Sequence, residues 1–219
     1  MNKTLKRALS GAVYVAIMWF GTSYSEVTFR LLFAIIGILS LYEMWKLRKG
    51  RTSFISYLYV IIPLSLIHQI DTELILFMFI LTWTFDTFAY LIGVKFGKHK
   101  ILPSVSPKKS WEGFFGGFTF TIIASYLTYI YFDFESFKLP LIISIILPFT
   151  ATIGDFTESY YKRQAGVKDS GNFIPGHGGI LDRMDAFMIT IPILYIFTKL
   201  KIIFWDSYIN KHPIIHVCI

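Results

Sequence analysis

Five carboxylates stand in or beside apolar segments of the chain, where an ionised side chain is costly. Asp182 and Asp185 open the last apolar segment, in the stretch GHGGILDRMD. Side chains three or four positions apart share one face of a helix, so this pair is predicted to point the same way. The same rule groups Asp155 with Glu158, while Asp86 lies within TWTFDTFAY. An ionisable group inside a span costs about 2.5–3.5 kcal/mol and therefore indicates a functional site.

These carboxylates would repel one another without a counter-charge. A hard divalent cation would remove the repulsion, and ligands that are all oxygen favour Mg²⁺ over zinc. We therefore predict a magnesium site among the carboxylates, with His177 as the only nitrogen ligand nearby. The alternative is that the carboxylates form ion pairs with basic residues at the helix ends, namely Lys162, Arg163, Lys168 and Arg183.

A second cluster is basic and lies between the fourth and fifth apolar segments. The stretch KFGKHKILPSVSPKKSWEG carries five lysines, and glycines follow it at 113, 116 and 117 and again at 171, 176, 178 and 179. Basic side chains beside glycine-rich backbone suit phosphate groups. The alternatives are lysines that only set membrane orientation and, for Gly113, Gly116 and Gly117, small residues that only let helices pack closely. Together, a cation site and a phosphate-binding surface suit transfer of a phosphorus group from a nucleotide to a lipid.

The elements that must position these residues are membrane helices. The chain has 219 residues, of which 54% are hydrophobic and 16% charged, and its mean hydropathy is +0.57. Soluble domains carry about 25% charged residues. Apolar stretches of about 20 residues predict an all-α, polytopic transmembrane bundle of about seven spans. We place these spans at about 8–25, 27–47, 54–70, 74–94, 113–132, 139–160 and 181–198.

The basic residues predict how the bundle is oriented. With a cytoplasmic N-terminus, 16 of the 21 lysines and arginines fall in cytoplasmic segments and 5 on the other side. This bias follows the positive-inside rule. It places the carboxylates and the lysine-rich loop on the cytoplasmic side of the membrane, which we expect to be a bacterial-type inner (plasma) membrane. It also accounts for most of the net charge of +7, so we expect a lipid bilayer and no nucleic acid as partner.

Residues 159–185 read SYYKRQAGVKDSGNFIPGHGGILDRMD, which resembles the signature of phosphatidate cytidylyltransferases, also called CDP-diacylglycerol synthases. The one departure is Tyr161, where the pattern prefers an aliphatic residue. The upstream stretches DTFAYLIGVKFGKHKILPSVSPKKSWEGFFGG and GDFTES are similar to further regions of the family. The matching positions in the signature are Ser159, Lys162, Arg163, Lys168, Asp169, Gly171, Pro175, His177, Gly178, Gly179, Asp182, Arg183 and Asp185.

The resemblance implies that CTP and phosphatidic acid react to give CDP-diacylglycerol and pyrophosphate for phospholipid biosynthesis. It implies Mg²⁺ bound by Asp155, Asp182 and Asp86, with a monovalent cation such as K⁺ as a candidate second ion. The catalytic residues it implies are Asp155, Asp182, Asp185, Lys168 and Arg183. The substrate-binding residues it implies are Ser106, Lys108, Lys109, Ser110, Ser159, Lys162, Arg163, His177, Gly178 and Gly179.

We expect one integral membrane domain over residues 1–219, with generic spans over about 1–70 and the catalytic region over about 82–198. The oligomeric state is open, with a homodimer among the alternatives. Two other functions share features with this interpretation. A CTP-dependent lipid kinase, or a cytidylyltransferase for another lipid phosphate, would use a similar site. An ion-coupled transporter would also carry intramembrane carboxylates, but the outer loops are short and poor in the groups that a polar route needs.

Overall fold

The computed structural model describes residues 3–48, 54–132, 134, 136–174, 176 and 178–199. Within these residues, a two-stranded antiparallel hairpin between the fourth and fifth α-helices interrupts a helical chain. The predicted tail after residue 199 lies outside the described residues. The helices are α1 (Lys3–Ser23), α2 (Glu26–Arg48), α3 (Phe54–Leu66), α4 (Thr72–Phe96), α5 (Trp111–Tyr131), α6 (Lys138–Ala165) and α7 (Leu181–Lys199), with a short 3-10 helix at Ile67–Gln69 and the hairpin strands β1 (Lys100–Leu102) and β2 (Ser106–Ser110).

Four of these helices, α2, α4, α5 and α6, are long and apolar enough to cross a bilayer. The apolar part of α1 and the segment Phe54–Gln69 are shorter. Helix α7 has 19 residues but carries two aspartates and an arginine at its start, which lowers its apolar character. The all-α membrane fold is therefore confirmed, whereas the number of about seven spans stays a prediction.

Small residues bring α4 and α5 into backbone contact. A Cβ atom on Gly113 would lie 2.6 Å from the carbonyl oxygen of Ala89, and one on Gly117 would lie 2.8 Å from the carbonyl oxygen of Phe85. Glycine is needed where two backbones approach this closely. These two glycines therefore let α4 and α5 pack closely, as the alternative interpretation of the glycines predicted. The contact also fixes the position of the hairpin that connects the two helices.

Helices α6 and α7 also pack with their backbones in contact. A Cβ atom on Gly154 would overlap the carbonyl oxygen of Asp185. One turn away along each helix, the hydroxyls of Thr150 and Thr190 are 2.7 Å apart in a buried hydrogen bond. Tyr59 of α3 donates its hydroxyl to the carbonyl oxygen of Gly154 at 3.0 Å. These contacts place Asp155 next to Asp185 at the junction of three helices.

The aromatic core links the N-terminal helices to the rest of the bundle. Phe79 of α4 lies with its ring centroid 6.5 Å from Phe33 of α2 and 5.3 Å from Phe187 of α7. All three rings are buried. The outer faces of α1 and α2 instead expose apolar residues such as Ile17, Leu31, Ile35 and Ile38, as expected for helices that face lipid.

Candidate functional site

Three acidic side chains converge where α6 meets α7. Asp155, Glu158 and Asp185 each offer a carboxylate oxygen, and these oxygens all lie within 4.8 Å of one another. Glu158 is buried, and the other two are partly buried. We call these three residues the carboxylate group. Hard oxygen donors at this spacing suit a divalent cation such as Mg²⁺, which also keeps positions for water or phosphate oxygens.

Asp86 approaches the carboxylate group from a third helix without joining it. It lies on α4, and its charge interacts with those of Lys109, Asp155 and Arg183. Asp185 in turn is influenced by the charges of both Asp155 and Asp86. Carboxylates of α6 and α7 therefore converge, and Asp86 of α4 is near enough to interact with their charges.

Asp182, three positions before Asp185, contacts both α6 and the loop that precedes α7. Its Oδ1 accepts a hydrogen bond from Lys162 Nζ at 2.7 Å. Its Oδ2 accepts from the backbone N–H groups of Ser170 at 2.9 Å and Gly179 at 2.7 Å. Asp182 does not belong to the carboxylate group in the described structure. Both aspartates lie near Glu158, so their placement on one face stays a prediction, to which the contacts of Asp182 with the loop are added.

Lys162 connects Asp182 to the carboxylate group. It is 8% exposed and forms ion pairs with both Glu158 and Asp182. A buried charge is tolerated when it is paired and hydrogen-bonded in this way. At Lys162, carboxylates therefore do pair with a neighbouring basic residue, as the alternative interpretation predicted. Lys162 holds these two acidic side chains in fixed positions.

A cavity of about 570 Å³ opens beside the carboxylate group, between the hairpin and the helices α4 and α5. We call it the hairpin cavity. Lys109 links the two, because its Nζ lies 2.8 Å from Asp155 Oδ2. The polar and charged side chains lining the cavity are Asp86, Tyr90, Lys100, Ser106, Lys108, Lys109, Ser110 and Thr152. The predicted residues of the lysine-rich stretch therefore surround one space large enough for a phosphorylated headgroup or a nucleotide phosphate chain.

The base of the hairpin is held by a carboxylate that lies outside the cavity. Glu112 accepts hydrogen bonds from the backbone N–H groups of Lys98 at 3.1 Å and His99 at 3.2 Å, and it lies 2.6 Å from His99 Nδ1. Ser110 is buried and accepts the N–H of Gly113 at the start of α5. The predicted substrate contact Ser110 therefore also caps a helix, which gives its hydroxyl a structural partner.

Arg163 ties the hairpin to the loop between α6 and α7. Its Nε donates to the carbonyl oxygen of Val105 at 3.3 Å, and its Nη1 donates to that of Val167 at 2.9 Å. Lys168 is exposed in the same loop. Arg163, predicted to bind substrate, thus has protein partners, whereas Lys168, predicted to be catalytic, is exposed to solvent.

The remaining predicted residues lie at the two ends of that loop. Ser159 is buried on α6, and Arg183 is partly buried on α7. Gly178 has a φ of +87°, and a Cβ there would lie 2.5 Å from Asp182 Oδ2. Gly179 contacts the same carboxylate through its N–H. His177 lies outside the described residues, so its predicted role stays a prediction.

Two residues next to the site were not predicted from the sequence. Glu43 of α2 is buried, and Ser170 of the loop between α6 and α7 donates its hydroxyl to it at 2.7 Å. Glu43 could have been found by the rule that flagged Asp86, since it is an ionisable residue inside an apolar helix. Ser170 carries no such signal, because a loop serine is ordinary.

Comparison of the sequence with known proteins points to one family. The model of the cytidylyltransferase family matches residues 53–201. A phosphatidate cytidylyltransferase from Staphylococcus saprophyticus is 41% identical over 187 residues, which cover 80% of this chain and 71% of that protein. Proteins of the same name from Staphylococcus haemolyticus and Staphylococcus epidermidis are 37% identical over 187 residues and 42% identical over 161 residues.

The extent of the match is sufficient to place the chain. The alignment with the relative from Staphylococcus haemolyticus covers 80% of this chain and 71% of that protein. The alignment with the relative from Staphylococcus epidermidis covers 68% of this chain and 62% of that protein. The resemblance drawn from the residues of the signature is thereby confirmed. The chain belongs to the cytidylyltransferase family, among relatives named phosphatidate cytidylyltransferase.

Proposed function

We propose that this chain transfers the cytidylyl group of CTP to phosphatidic acid and forms CDP-diacylglycerol and pyrophosphate. The observation that carries the proposal is the contact between Lys109 and Asp155, which joins a lysine-lined cavity to a group of three carboxylates. A nucleotidyl transfer needs both surfaces side by side, because one positions anionic phosphates while the other binds the cation that accompanies them.

The reaction balances without a protein nucleophile. A phosphate oxygen of phosphatidic acid attacks the α-phosphorus of CTP and forms the new P–O bond. The bond from that phosphorus to the oxygen bridging the β-phosphorus breaks, and pyrophosphate leaves with the electron pair. The attacking oxygen is already ionised at neutral pH, so no general base is required. The protein contributes position and electrostatic stabilisation.

The carboxylate group fits Mg²⁺ by its donor chemistry. Asp155, Glu158 and Asp185 would hold the ion, and Asp86 would support it from α4. When bound there, Mg²⁺ would neutralise charge on the phosphate oxygens. Asp182, which the resemblance assigned as a ligand, has both oxygens engaged, by Lys162, Ser170 and Gly179, whereas Asp155 and Glu158 form ion pairs through one oxygen each. We therefore propose that Asp182 positions Lys162 and the loop.

The basic residues bind the phosphates and hold the hairpin next to the loop. Lys100, Lys108 and Lys109 line the hairpin cavity and bind phosphate oxygens there. Lys109 also keeps the cavity next to Asp155. Arg163 keeps the hairpin close to the loop after α6 through two backbone carbonyls. This arrangement brings the reacting phosphates against the carboxylate group.

We further propose that the site opens to the cytoplasmic side of a bacterial plasma membrane, in a multi-pass chain. The relatives are bacterial proteins, and four helices are long and apolar enough to span a bilayer. The bias of basic residues toward the segments that carry the site supports this side. CTP is a soluble nucleotide, so an opening to the cytoplasm gives it access.

An assay of the purified protein tests this function against that of a lipid kinase. CTP labelled at the α-phosphorus is incubated with phosphatidic acid, with Mg²⁺ or with a chelator. We expect label in the lipid fraction and an equal amount of pyrophosphate, both only with Mg²⁺. Diacylglycerol in place of phosphatidic acid serves as the control and should leave the lipid fraction unlabelled. Release of labelled CDP without labelled lipid would instead identify a kinase and overturn the proposal.

A further inference from the structure

Glu43 is a buried carboxylate that the proposed reaction does not use. It lies on α2, before the residues 53–201 that the family model matches, and it is 1% exposed. A buried carboxylate is costly unless its oxygens accept hydrogen bonds. Its presence in an apolar helix therefore calls for a partner, and the structure supplies one in the loop between α6 and α7.

Three donors of this loop converge on the Glu43 carboxylate. The Ser170 hydroxyl donates to Oε2 at 2.7 Å, the N–H of Leu181 donates to Oε2 at 2.8 Å, and the N–H of Ile180 donates to Oε1 at 3.0 Å. Leu181 is the first residue of α7. An anion at a helix N-terminus satisfies amides that have no partner within the helix and interacts favourably with the helix dipole. Glu43 thus caps α7 from another helix.

The loop is shaped to admit this carboxylate. A Cβ atom on Gly171 would overlap Glu43 Oε1, and one on Gly179 would overlap both Glu43 Oε2 and Ser170 Oγ. Any larger residue at either position would force the Glu43 carboxylate or the loop to shift and would disturb their hydrogen bonds. These two glycines therefore have a packing role that neither turn geometry nor phosphate binding requires.

The contact reaches the proposed site through one shared hydroxyl. Ser170 Oγ lies 2.7 Å from Glu43 Oε2 and 3.0 Å from Asp182 Oδ2. Asp182 holds Lys162, and Lys162 pairs with Glu158 of the carboxylate group. The start of α7, which Glu43 caps, also carries Asp185 one turn further on. Two separate connections therefore run from Glu43 to the residues proposed to act on the phosphates.

We propose that Glu43 is a positioning residue, which fixes the start of α7 and so sets the placement of Asp182 and Asp185. In this role it acts through the loop and α7 and not by binding substrate or cation. The proposal rests on the proposed cytidylyl transfer for its kinetic consequence, and on the hydrogen bonds alone for its structural consequence. Helix α2, one of the N-terminal spans predicted to be generic, thereby contributes to the site.

The test compares Glu43→Gln with Ser40→Ala. Glutamine keeps the size of Glu43 but removes its charge. It also replaces one acceptor oxygen with an amide donor, which would face the N–H and O–H donors of the loop. Ser40 lies on the same helix, is fully buried and has no hydrogen-bond partner among the described residues, so its loss is the matched control. For Glu43→Gln we expect kcat to fall about 10- to 100-fold with the KM for CTP changed less than about threefold. Ser40→Ala should keep the wild-type values.

Hydrogen exchange supplies a readout that does not depend on activity. In Glu43→Gln, amides of residues 166–181 should exchange faster while those of α4 and α5 stay protected. Unchanged exchange in this loop, or faster exchange spread evenly over the bundle, would overturn the positioning role whatever the activity. Wild-type kcat in Glu43→Gln would overturn it as well. If the wild-type protein itself shows no cytidylyl transfer, the proposed function fails and the exchange result still decides the role of Glu43.

A second pair of variants tests the same contact without changing Glu43. Gly171→Ala places a methyl group against the carboxylate, whereas Gly37→Ala on α2 meets only Leu64 at an ordinary 3.6 Å. We expect the first to lower kcat and loosen residues 166–181, and the second to do neither. Equal behaviour of the two alanine variants would contradict the inference.

Discussion

The acidic and the basic parts of the site are held in opposite ways. On the acidic side, Lys162 is 8% exposed and paired with two carboxylates, and Asp182 accepts hydrogen bonds from the loop backbone. On the basic side, Lys108 is exposed and lines an open cavity. The acidic part is therefore held in place by contacts within the protein. The basic part keeps its charges available for an anion.

Physical chemistry explains the difference. Buried charges must be paired, since removing one partner leaves an uncompensated ion that is strongly destabilising. Lysines at an open surface stay hydrated, so leaving them unpaired costs little free energy. They form charge-assisted hydrogen bonds when a phosphate enters the cavity. Lys109 joins the two parts, because it lines the cavity and also contacts Asp155. The predictions below test whether the two parts respond to mutation as differently as this contrast requires.

The largest effect is expected in the carboxylate group. Asp155→Asn and Asp185→Asn should each lower kcat by about 1,000-fold, because several kcal/mol of transition-state stabilisation would be lost and each 1.4 kcal/mol is a factor of ten. Labelled CDP-diacylglycerol formed per minute is the measurement. Asp71→Asn, at the opposite end of α4 from Asp86, is the control and should keep wild-type activity. Near-normal turnover in either site variant would show that these carboxylates do not act on the reaction.

A large loss of stability is expected at Lys162. Lys162→Met leaves Glu158 and Asp182 buried without their shared cation, and breaking such a pair costs about 3–5 kcal/mol. The thermal unfolding midpoint in detergent should fall clearly. Lys46→Met, which changes an exposed lysine of α2, should leave the midpoint near that of the wild type. Matching midpoints for the two variants would mean that the acidic part is not held by Lys162.

The smallest effect is expected in the hairpin cavity. Lys108→Gln removes one charged donor from an exposed wall, so the KM for at least one of the two substrates should rise about tenfold with kcat little changed. Lys98→Gln makes the same change of charge in the same segment but outside the cavity lining. It should leave both KM values as they are. A drop in kcat without a change in KM at Lys108 would place this lysine in the chemistry and blur the contrast between the two parts.

Much of this arrangement could be predicted from sequence, and the part that could not has a physical reason. The apolar stretches gave the helices, and the charges inside them pointed to Asp86, Asp155 and Asp185. The helical spacing rule put Asp182 and Asp185 on one face, and both lie near Glu158 of α6, but it could not show that Asp182 also turns back to the amides that precede the helix. Those amides belong to Ser170 and Gly179, whose approach depends on the loop.

The contribution of α2 was harder to predict. Glu43 meets its partners across a separation of 127 residues to Ser170, so no local pattern reveals the contact. The hairpin was similarly described only as a lysine-rich loop, since its register is fixed by Glu112 and by the close packing of α4 on α5. Features that follow from periodicity were accessible from the sequence, whereas pairings between distant segments required the folded structure.

Binding of Mn²⁺, as a spectroscopic substitute for Mg²⁺, tests most directly whether the carboxylate group holds a cation. Purified wild-type protein and the variants Asp155→Asn and Asp185→Asn are titrated with Mn²⁺, and the free ion is followed by electron paramagnetic resonance. We expect the wild type to bind the ion and each variant to bind it at least about tenfold more weakly. Affinities in both variants equal to that of the wild type would contradict the account.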